Sequence, residues 1–393
     1  MRDRSPFVTV WEFVVVEHVL VAPDKFKGSL TAAEVAAHVS AGLGVPTVEL
    51  PVADGGDGTV DAVVACGFTR VSRQVTGPTG EPVQASYARR GDTAVVELAE
   101  ASGLRRLPGG HEPLTATSYG TGELVADAIR QGAKRVVLGL GGSACTDGGA
   151  GMAQALGARF LDAQGDELEY GGAALSRLDR IDITSFTDMS GVEVVVASDV
   201  DNPLLGPHGA AAVYGPQKGA TLEDVPVLER ALSRLAAVAT RTHGLAGAVE
   251  HDDVPRPMGV AGAPGAGAAG GVGFAALAFL HAEVQPGIDY LLDLLGFGEH
   301  VKGARLVVTG EGSLDEQSLR GKAPIGVAQA AARAGVPVVA VCGRRTLSDA
   351  ELQAAGIEAA YALTDLEPDP VRCMADAGAL LERLAAKLAA DRL

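Results

Sequence analysis

Short runs rich in β-branched residues alternate with longer alanine-rich segments along most of the chain. The predicted strands span residues 18–22, 48–52, 93–98, 135–139, 192–197, 305–309 and 336–342. The predicted helices span residues 31–42, 59–66, 122–131, 149–156, 222–242, 273–280, 288–294, 325–334 and 349–355. A strand followed by a helix, repeated in this way, is typical of α/β folds with parallel sheets.

The pattern changes between residues 71 and 114, where polar and apolar residues alternate as they do in antiparallel strands. Turn residues follow at Gly77-Pro78 and at Arg90-Gly91. We interpret this change as the entry into a second domain. A chain of 393 residues is also longer than one hydrophobic core usually supports.

The net charge and the cysteine content limit the classes of protein to which the chain can belong. The chain has 32 Lys and Arg against 49 Asp and Glu, a net charge of −17. An acidic surface argues against nucleic acid and anionic membranes as partners, although local cations can still bind an anionic substrate. The four cysteines form no Cys-x-x-Cys pair, which favours reduced thiols in a cytoplasmic protein.

Two apolar segments resemble targeting or membrane sequences, but we interpret neither of them in that way. The run within residues 1–17 is short and broken by Glu12 and Glu17, so we reject a signal peptide and predict an extension outside the fold. Residues 257–280 carry no charge, but their first half is glycine and alanine with an internal proline. That composition disfavours a transmembrane helix.

Five strands end in polar loops, and in α/β sheets ligands bind at the carboxyl ends of strands. The first loop, at residues 22–31, contains Lys25, Lys27 and Ser29 before a helix that Thr31 and Glu34 can cap. Two lysines at a helix N-terminus suit a phosphate or a carboxylate. The alternative is an ordinary cap with solvated lysines.

The second loop has the sequence DGGDGT and places Asp54 and Asp57 three residues apart. Two carboxylates in a glycine-rich loop suit Mg²⁺, which prefers oxygen ligands. The alternative is a turn in which an aspartate caps the helix that starts at Thr59.

A glycine-serine loop follows the strand at 135–139 and contains Gly141, Gly142 and Ser143, with Asp147 four residues further on. Its N–H groups could cradle phosphates. No Walker A motif occurs in the chain, and the match to G-x-G-x-x-G at residues 265–270 is weak because no strand precedes it.

The remaining loops offer single candidates. Asp199 follows a strand and could polarise a hydroxyl or hold a metal. Lys218 lies in a turn, and Glu311 lies near the end of a later strand. Taken one by one, such residues are more often parts of turns and caps.

Together these segments resemble the bacterial glycerate kinase family, in the same order, from about Val19 to the C-terminus. Lys25 stands where many members carry a small residue. The blocks that carry the resemblance include APDKFKGSLTAAEVA, PVADGGDGTVDAV, GLGGSACTDGGAGMAQALGARF, ASDVDNPLLGPHGAAAVYGPQKGA and LVVTGEGSLDEQSLRGKAPIGVA.

The resemblance implies two α/β domains with the active-site cleft between them. Residues 18–72 and 286–393 would form a discontinuous flavodoxin-like, Rossmann-like domain with a parallel sheet, and residues 73–285 an inserted mixed α/β domain. It also implies phosphorylation of D-glycerate to 2-phosphoglycerate with ATP and Mg²⁺. The expected form is a cytoplasmic monomer or homodimer. A kinase for a related hydroxy acid and a non-catalytic ligand-binding protein are the alternatives.

On this basis we assign hypothetical roles to the candidate residues. Mg²⁺ is held by Asp54, Asp57 and Asp199, and Asp199, or less favourably Asp147, accepts the proton of the attacking hydroxyl. The residues expected to bind substrate or phosphate are Lys25, Lys27, Ser29, Gly141, Gly142, Ser143, Lys218 and Glu311.

Overall fold

The computed structural model describes residues 17–243 and 259–393. Residues 1–16, and with them nearly all of the predicted extension, lie outside this described part, as do the first two residues of the uncharged segment 257–280. In the described part, no helix combines the length and the apolar character needed to cross a bilayer.

Thirteen strands are present in the described ranges. They are β1 His18–Pro23, β2 Thr47–Glu49, β3 Thr69–Thr76, β4 Pro82–Arg90, β5 Thr93–Glu97, β6 Arg135–Gly139, β7 Arg159–Leu161, β8 Arg180–Asp182, β9 Glu193–Ala197, β10 Glu283–Gln285, β11 Ala304–Leu314, β12 Val338–Arg345 and β13 Ala359–Ala362.

Fourteen α-helices are described between and after these strands. They are α1 Ala32–Leu43, α2 Thr59–Ala65, α3 Leu98–Ser102, α4 Tyr119–Arg130, α5 Ala150–Ala155, α6 Ala210–Tyr214, α7 Asp224–His243, α8 Ala268–Phe279, α9 Gly287–Leu295, α10 Phe297–His300, α11 Ala323–Arg333, α12 Asp349–Ala354, α13 Pro370–Ala375 and α14 Ala377–Arg392.

A five-stranded sheet joins the two ends of the described chain. Its order is β13-β12-β11-β1-β2, and every neighbouring pair is parallel. Counted in chain order, this is the 2-1-3-4-5 arrangement of flavodoxin-like sheets. The predicted α/β class and its discontinuous flavodoxin-like sheet are therefore confirmed.

A six-stranded mixed sheet uses the middle of the chain, in the order β10-β9-β6-β5-β4-β3. Its first four strands are parallel, whereas β4 pairs antiparallel with both β3 and β5. This antiparallel part is the segment whose alternating pattern the sequence displayed. The predicted domain boundaries at residues 72/73 and 285/286 stay predictions.

One hydrophobic layer lies between the two sheets. It contains buried side chains from the five-stranded sheet, such as Leu20 and Val307, and from the six-stranded sheet, such as Val95 and Val137. Side chains of α2, α9 and α11 complete the layer, including Val63, Leu291 and Val327. Loops at the carboxyl ends of both sheets line the same pair of adjoining cavities.

Candidate active site

Two adjoining cavities lie where these loops meet. Cavity A has a volume of about 660 Å³ and is lined mainly by the loops that follow β1, β2, β11, β12 and β13. Cavity B has a volume of about 680 Å³ and is lined mainly by the loops that follow β6 and β9. Asp54, Gly56, Gly142 and Lys322 line both cavities and mark their junction.

The strand order explains where cavity A lies. The connection that leaves β1 leads to β2 on one side of the sheet, whereas the connection that leaves the neighbouring β11 leads to β12 on the other side. Such a switch point opens a crevice at the carboxyl ends of the strands. Asp24 and Glu311 line the cavity at the ends of these two strands.

The glycines of the loop at 54–58 allow it to pack against the six-stranded sheet. A Cβ at Gly55 would lie 2.4 Å from the carbonyl oxygen of Ala197, and one at Gly141 would lie 2.4 Å from Cα of Gly56. No side chain fits at such distances. The two glycine-rich loops therefore touch backbone to backbone and bring Asp54 beside Gly141 and Gly142.

Lys25 lies within a group of carboxylates in cavity A. Its Nζ is 3.5 Å from Oδ1 of Asp24. Burial alone would lower the pKa of Lys25, but the charges of Asp24, Asp54, Asp57 and Glu97 outweigh it and raise the pKa. The lysine therefore remains a cation at the junction-facing side of the cavity.

Lys27 and Ser29 also line cavity A. Lys27 is exposed, and the Ser29 hydroxyl donates a hydrogen bond to the carbonyl oxygen of Phe26 at 3.1 Å. The predicted capping box of Thr31 and Glu34 is present at the start of α1. Lys27 is thus free to meet an anion, whereas Ser29 mainly shapes the loop.

Asp54 and Asp57 have different partners. Asp54 Oδ1 accepts a hydrogen bond from the N–H of Gly56 at 3.0 Å and lies at the junction of the cavities. Asp57 Oδ1 instead lies 2.6 Å from Nη1 of Arg105, in an ion pair. Of these two carboxylates, Asp54 is the one available to a ligand.

Glu97, at the end of β5, caps α2 from a distance. Its carboxyl oxygens accept hydrogen bonds from the N–H groups of Gly58 at 3.1 Å and Val60 at 3.0 Å. Burial raises the pKa of Glu97 to about 7, partly offset by the Val60 N–H and by Arg105. Glu97 therefore does what the sequence assigned to an aspartate cap, and it holds the DGGDG loop in place.

Asp199 lines cavity B. Its Oδ1 accepts a hydrogen bond from the N–H of Gly287 at 2.8 Å. Burial raises the pKa of Asp199 to about 6, and the charge of Asp54 adds to this effect, while the N–H groups of Gly287 and Ile288 oppose it. At neutral pH, Asp199 is a carboxylate that can still take up a proton.

Ser143 and Lys218 form the polar inner wall of cavity B. Lys218 is 2% exposed, and its Nζ donates to Ser143 Oγ at 2.7 Å and to the carbonyl oxygen of Cys145 at 2.5 Å. Burial lowers the pKa of Lys218 to about 8. A hydroxyl and an ammonium group side by side suit a carboxylate or phosphate ligand.

Asp147 is not brought to either cavity. It is fully buried, and its carboxylate accepts hydrogen bonds from Ser118 N and Oγ, both at 2.8 Å, Gly149 N at 3.0 Å and Gly151 N at 3.2 Å. These four donors leave no room for a substrate proton. The contacts assign Asp147 to the start of α5 as a structural carboxylate, so we do not retain it as a proton acceptor.

Glu311 and Asp24 are neighbouring buried carboxyl groups in cavity A. Burial raises the pKa of Asp24 to about 6 and that of Glu311 to about 7. Lys25 offsets part of the shift of Asp24, and the Ser318 hydroxyl and Lys322 offset part of that of Glu311. Glu311 was expected to bind substrate or phosphate; because a carboxyl group does not attract phosphate, it fits a hydroxyl group of a ligand better.

Several residues of the site were not among the candidates. Asp24 and Lys322 stood within the quoted sequence blocks without a role of their own, and only their position at the cavities distinguishes them. Glu97 and Arg105 carried no local signal, because their partners Val60 and Asp57 are distant in sequence.

Mg²⁺ fits the oxygen donors at the junction, although not as predicted. Across residues 17–243 and 259–393, no three Asp, Glu, His or Cys side chains come together to hold a metal ion. Asp54, Asp57 and Asp199 thus do not form one ligand group. Mg²⁺ usually takes only one or two carboxylates and completes its shell with water and substrate phosphates. Asp54 is placed for this role.

Comparison with known proteins agrees with the motifs. The model of the Glycerate kinase family matches residues 19–392. Glycerate kinase of Bacillus subtilis (strain 168) is 43% identical over 383 residues, which cover 95% of this chain and 97% of that protein. Glycerate 2-kinase of Escherichia coli (strain K12) is 43% identical over 356 residues, covering 88% and 90% of the two chains.

A crystal structure is also similar over nearly the full length. It is that of a candidate glycerate kinase 2 from Salmonella typhimurium LT2, which is 40% identical, covers 95% of this chain and 98% of its own, and gives a TM-score of 0.79. Sequence motifs, sheet order and these relatives agree. This chain belongs to the glycerate kinase family.

Proposed function

We propose that this chain transfers a phosphoryl group from ATP to D-glycerate, in the presence of Mg²⁺, and forms 2-phosphoglycerate. The observation that carries the proposal is the pair of adjoining cavities that share Asp54, Gly56, Gly142 and Lys322. Two substrate sites that meet at one point place donor and acceptor for direct transfer. The relative named glycerate 2-kinase supports the 2-position.

Cavity B suits a small hydroxy acid. Lys218 and Ser143 would bind the carboxylate of D-glycerate, since they offer charged and neutral donors on one wall. Asp199, which lines the same cavity, would accept the proton of the attacking hydroxyl. Its raised pKa makes it a stronger base than a solvated aspartate.

The junction suits the triphosphate. Gly141 and Gly142 would donate N–H groups to phosphate oxygens, and Lys25, Lys27 and Lys322 would offset their charge. Asp54 would hold Mg²⁺ together with the phosphates. When bound, the ion neutralises charge that develops on the transferring group. Arg105 and Glu97 would keep the Asp54 loop in position.

We also propose a cytoplasmic enzyme that acts as a monomer or homodimer. The four cysteines are all free thiols, which suits a reducing compartment.

A coupled assay with purified protein, D-glycerate, ATP and Mg²⁺ tests the proposal. Enolase and pyruvate kinase report 2-phosphoglycerate, and added phosphoglycerate mutase reveals 3-phosphoglycerate. We expect a signal without the mutase. A signal only with the mutase would move the chemistry to the other hydroxyl, and no signal in either case would refute D-glycerate as the substrate.

A further inference from the structure

Cavity A presents a graded series of side chains along one edge of the five-stranded sheet. Leu363 follows β13, Arg344 lies near the end of β12, Glu311 lies near the end of β11, and Asp24 follows β1. Neighbouring strands are about 4.8 Å apart, so the four strands that carry these residues span roughly 14 Å. The series leads from an apolar end to the junction with cavity B.

The apolar end is formed by Leu363 together with Pro370, Cys373 and Met374 of α13. Met374 is 52% exposed despite its apolar side chain. Its Cε would lie 3.0 Å from a Cβ at Gly28, so Met374 reaches from α13 towards the loop after β1. An exposed apolar group at a cavity mouth suits a flat, weakly polar ring.

Arg344 follows this end; it is exposed, and its Nε donates a hydrogen bond to Ser313 Oγ at 3.1 Å. Glu311 comes next in the series. It is 8% exposed, lines the cavity, and its Oε1 is buried without a hydrogen-bond partner. Buried carboxyl oxygens are normally hydrogen-bonded, and leaving one unpaired is costly. Two neighbouring hydroxyl groups of a ligand in the cavity would supply donors that a carboxylate binds well.

The opposite end of the series is suited to a charged group of a ligand. Lys25 and Asp54 follow Asp24 towards the junction, where Gly142 begins the wall of cavity B. Apolar surface, hydroxyl acceptor and phosphate-binding groups thus occur in the order base, ribose and triphosphate. Cavity B has Lys218, Ser143 and Asp199 on its inner wall, which suit a small acid instead.

We propose that cavity A is a ribonucleotide pocket in which the apolar end near Met374 contacts the base and Glu311 accepts hydrogen bonds from the ribose hydroxyls. The inference rests on the proposed function, since it takes the phosphate donor to be a nucleotide. It adds that Glu311 makes the enzyme select ribonucleotides over nucleotides that lack the ribose hydroxyls.

Calorimetric titration of the full chain with ADP and with 2′,3′-dideoxy-ADP, both with Mg²⁺ and without D-glycerate, tests this. We expect the wild type to bind ADP about ten- to a hundredfold more tightly than 2′,3′-dideoxy-ADP. This is the difference in affinity expected from hydrogen bonds to a charged group. Glu311→Leu should bind the two nucleotides within about twofold of each other. The exposed Glu316→Leu variant is the matched control and should keep the wild-type preference.

The Tm of the ligand-free variant distinguishes a role of Glu311 in nucleotide binding from a structural role. Oε1 of Glu311 has no partner to lose, and removal of a buried carboxyl group offsets the loss of its interactions with Ser318 and Lys322. We therefore expect the Tm of ligand-free Glu311→Leu to equal or exceed that of the wild type. Equal binding of the two nucleotides by the wild type, or an unchanged preference in Glu311→Leu, would overturn the proposal. So would a Glu311→Leu variant with normal nucleotide binding and a raised KM for D-glycerate.

If the proposed function is wrong, the activity and binding measurements give a different combination of results. If the protein does not phosphorylate D-glycerate but Glu311→Leu still abolishes the preference for ADP, the ribonucleotide pocket is supported and only the acceptor is wrong. If neither nucleotide binds, the pocket assignment fails.

Discussion

The N–H of Gly287 donates a hydrogen bond to Oδ1 of Asp199 at 2.8 Å and so couples the start of α9 to the carboxylate in cavity B. Close packing leaves no space on the other side of this glycine. A Cβ there would lie 2.2 Å from the carbonyl oxygen of Asp54 and 3.2 Å from Oδ2 of Asp199. One backbone position therefore sets the distance between two acidic residues of the site.

Gly287→Ala should for this reason damage both stability and activity. The added methyl group must push the Asp54 loop or Asp199 aside, and overpacking of this kind costs about 1–3 kcal/mol of unfolding free energy. We expect a lower urea midpoint and a lower kcat. Gly298→Ala is the matched control, because a Cβ at Gly298 meets no atom within 4 Å. Equal behaviour of the two variants would contradict the packing described.

Asp147→Asn should act on stability through the four donors that its carboxylate accepts. An amide nitrogen would face some of these N–H and O–H groups, at a cost of about 3 kcal/mol. We expect the Tm to fall by several degrees while kcat of the folded fraction is retained. Thermal unfolding followed by circular dichroism measures this, with exposed Asp166→Asn as the control. A stable but inactive Asp147→Asn protein would restore Asp147 as a catalytic residue.

The pH dependence of kcat/KM for D-glycerate should reflect the titration of Lys218. Its pKa is lowered to about 8, so the ammonium group is present below pH 8 and is lost as the pH rises through that value. The neighbouring Cys145 stays a neutral thiol there, because burial raises its pKa well above 9.0, and Asp147 stays buried beside it. We expect kcat/KM for D-glycerate, measured with saturating MgATP, to decline above about pH 8. A level profile up to pH 9.5 would exclude Lys218 as the cation that binds the substrate.

Local sequence signals gave reliable local structure. The predicted strand at 135–139 coincides with β6, and the capping box of Thr31 and Glu34 is present. Both depend on residues next to one another in the chain. The predicted helix at 273–280 corresponds to the regular part of α8, because Ala269, Gly270 and Gly271 adopt left-handed conformations that interrupt the helix near its start.

Contacts between residues that are far apart in the chain could not be predicted from the sequence. Glu97 caps α2 across 37 and 39 residues, so the N–H groups that it satisfies could not be identified from spacing. Asp147 stands in a glycine-rich loop that suggests phosphate binding, yet Ser118, 29 residues earlier, engages its carboxylate. Which loops meet depends on the sheet order, because β1 lies between β2 and β11.

The central claim is that the junction of the two cavities is the site of phosphoryl transfer, with Asp199 as the proton acceptor. The most direct test is kcat of Asp199→Asn in the coupled assay with D-glycerate, MgATP and saturating substrates. The amide oxygen can still accept the Gly287 hydrogen bond, so we expect an unchanged Tm and a kcat lower by about 10²- to 10⁴-fold. An Asp199→Asn enzyme that turns over at the wild-type rate would contradict the account.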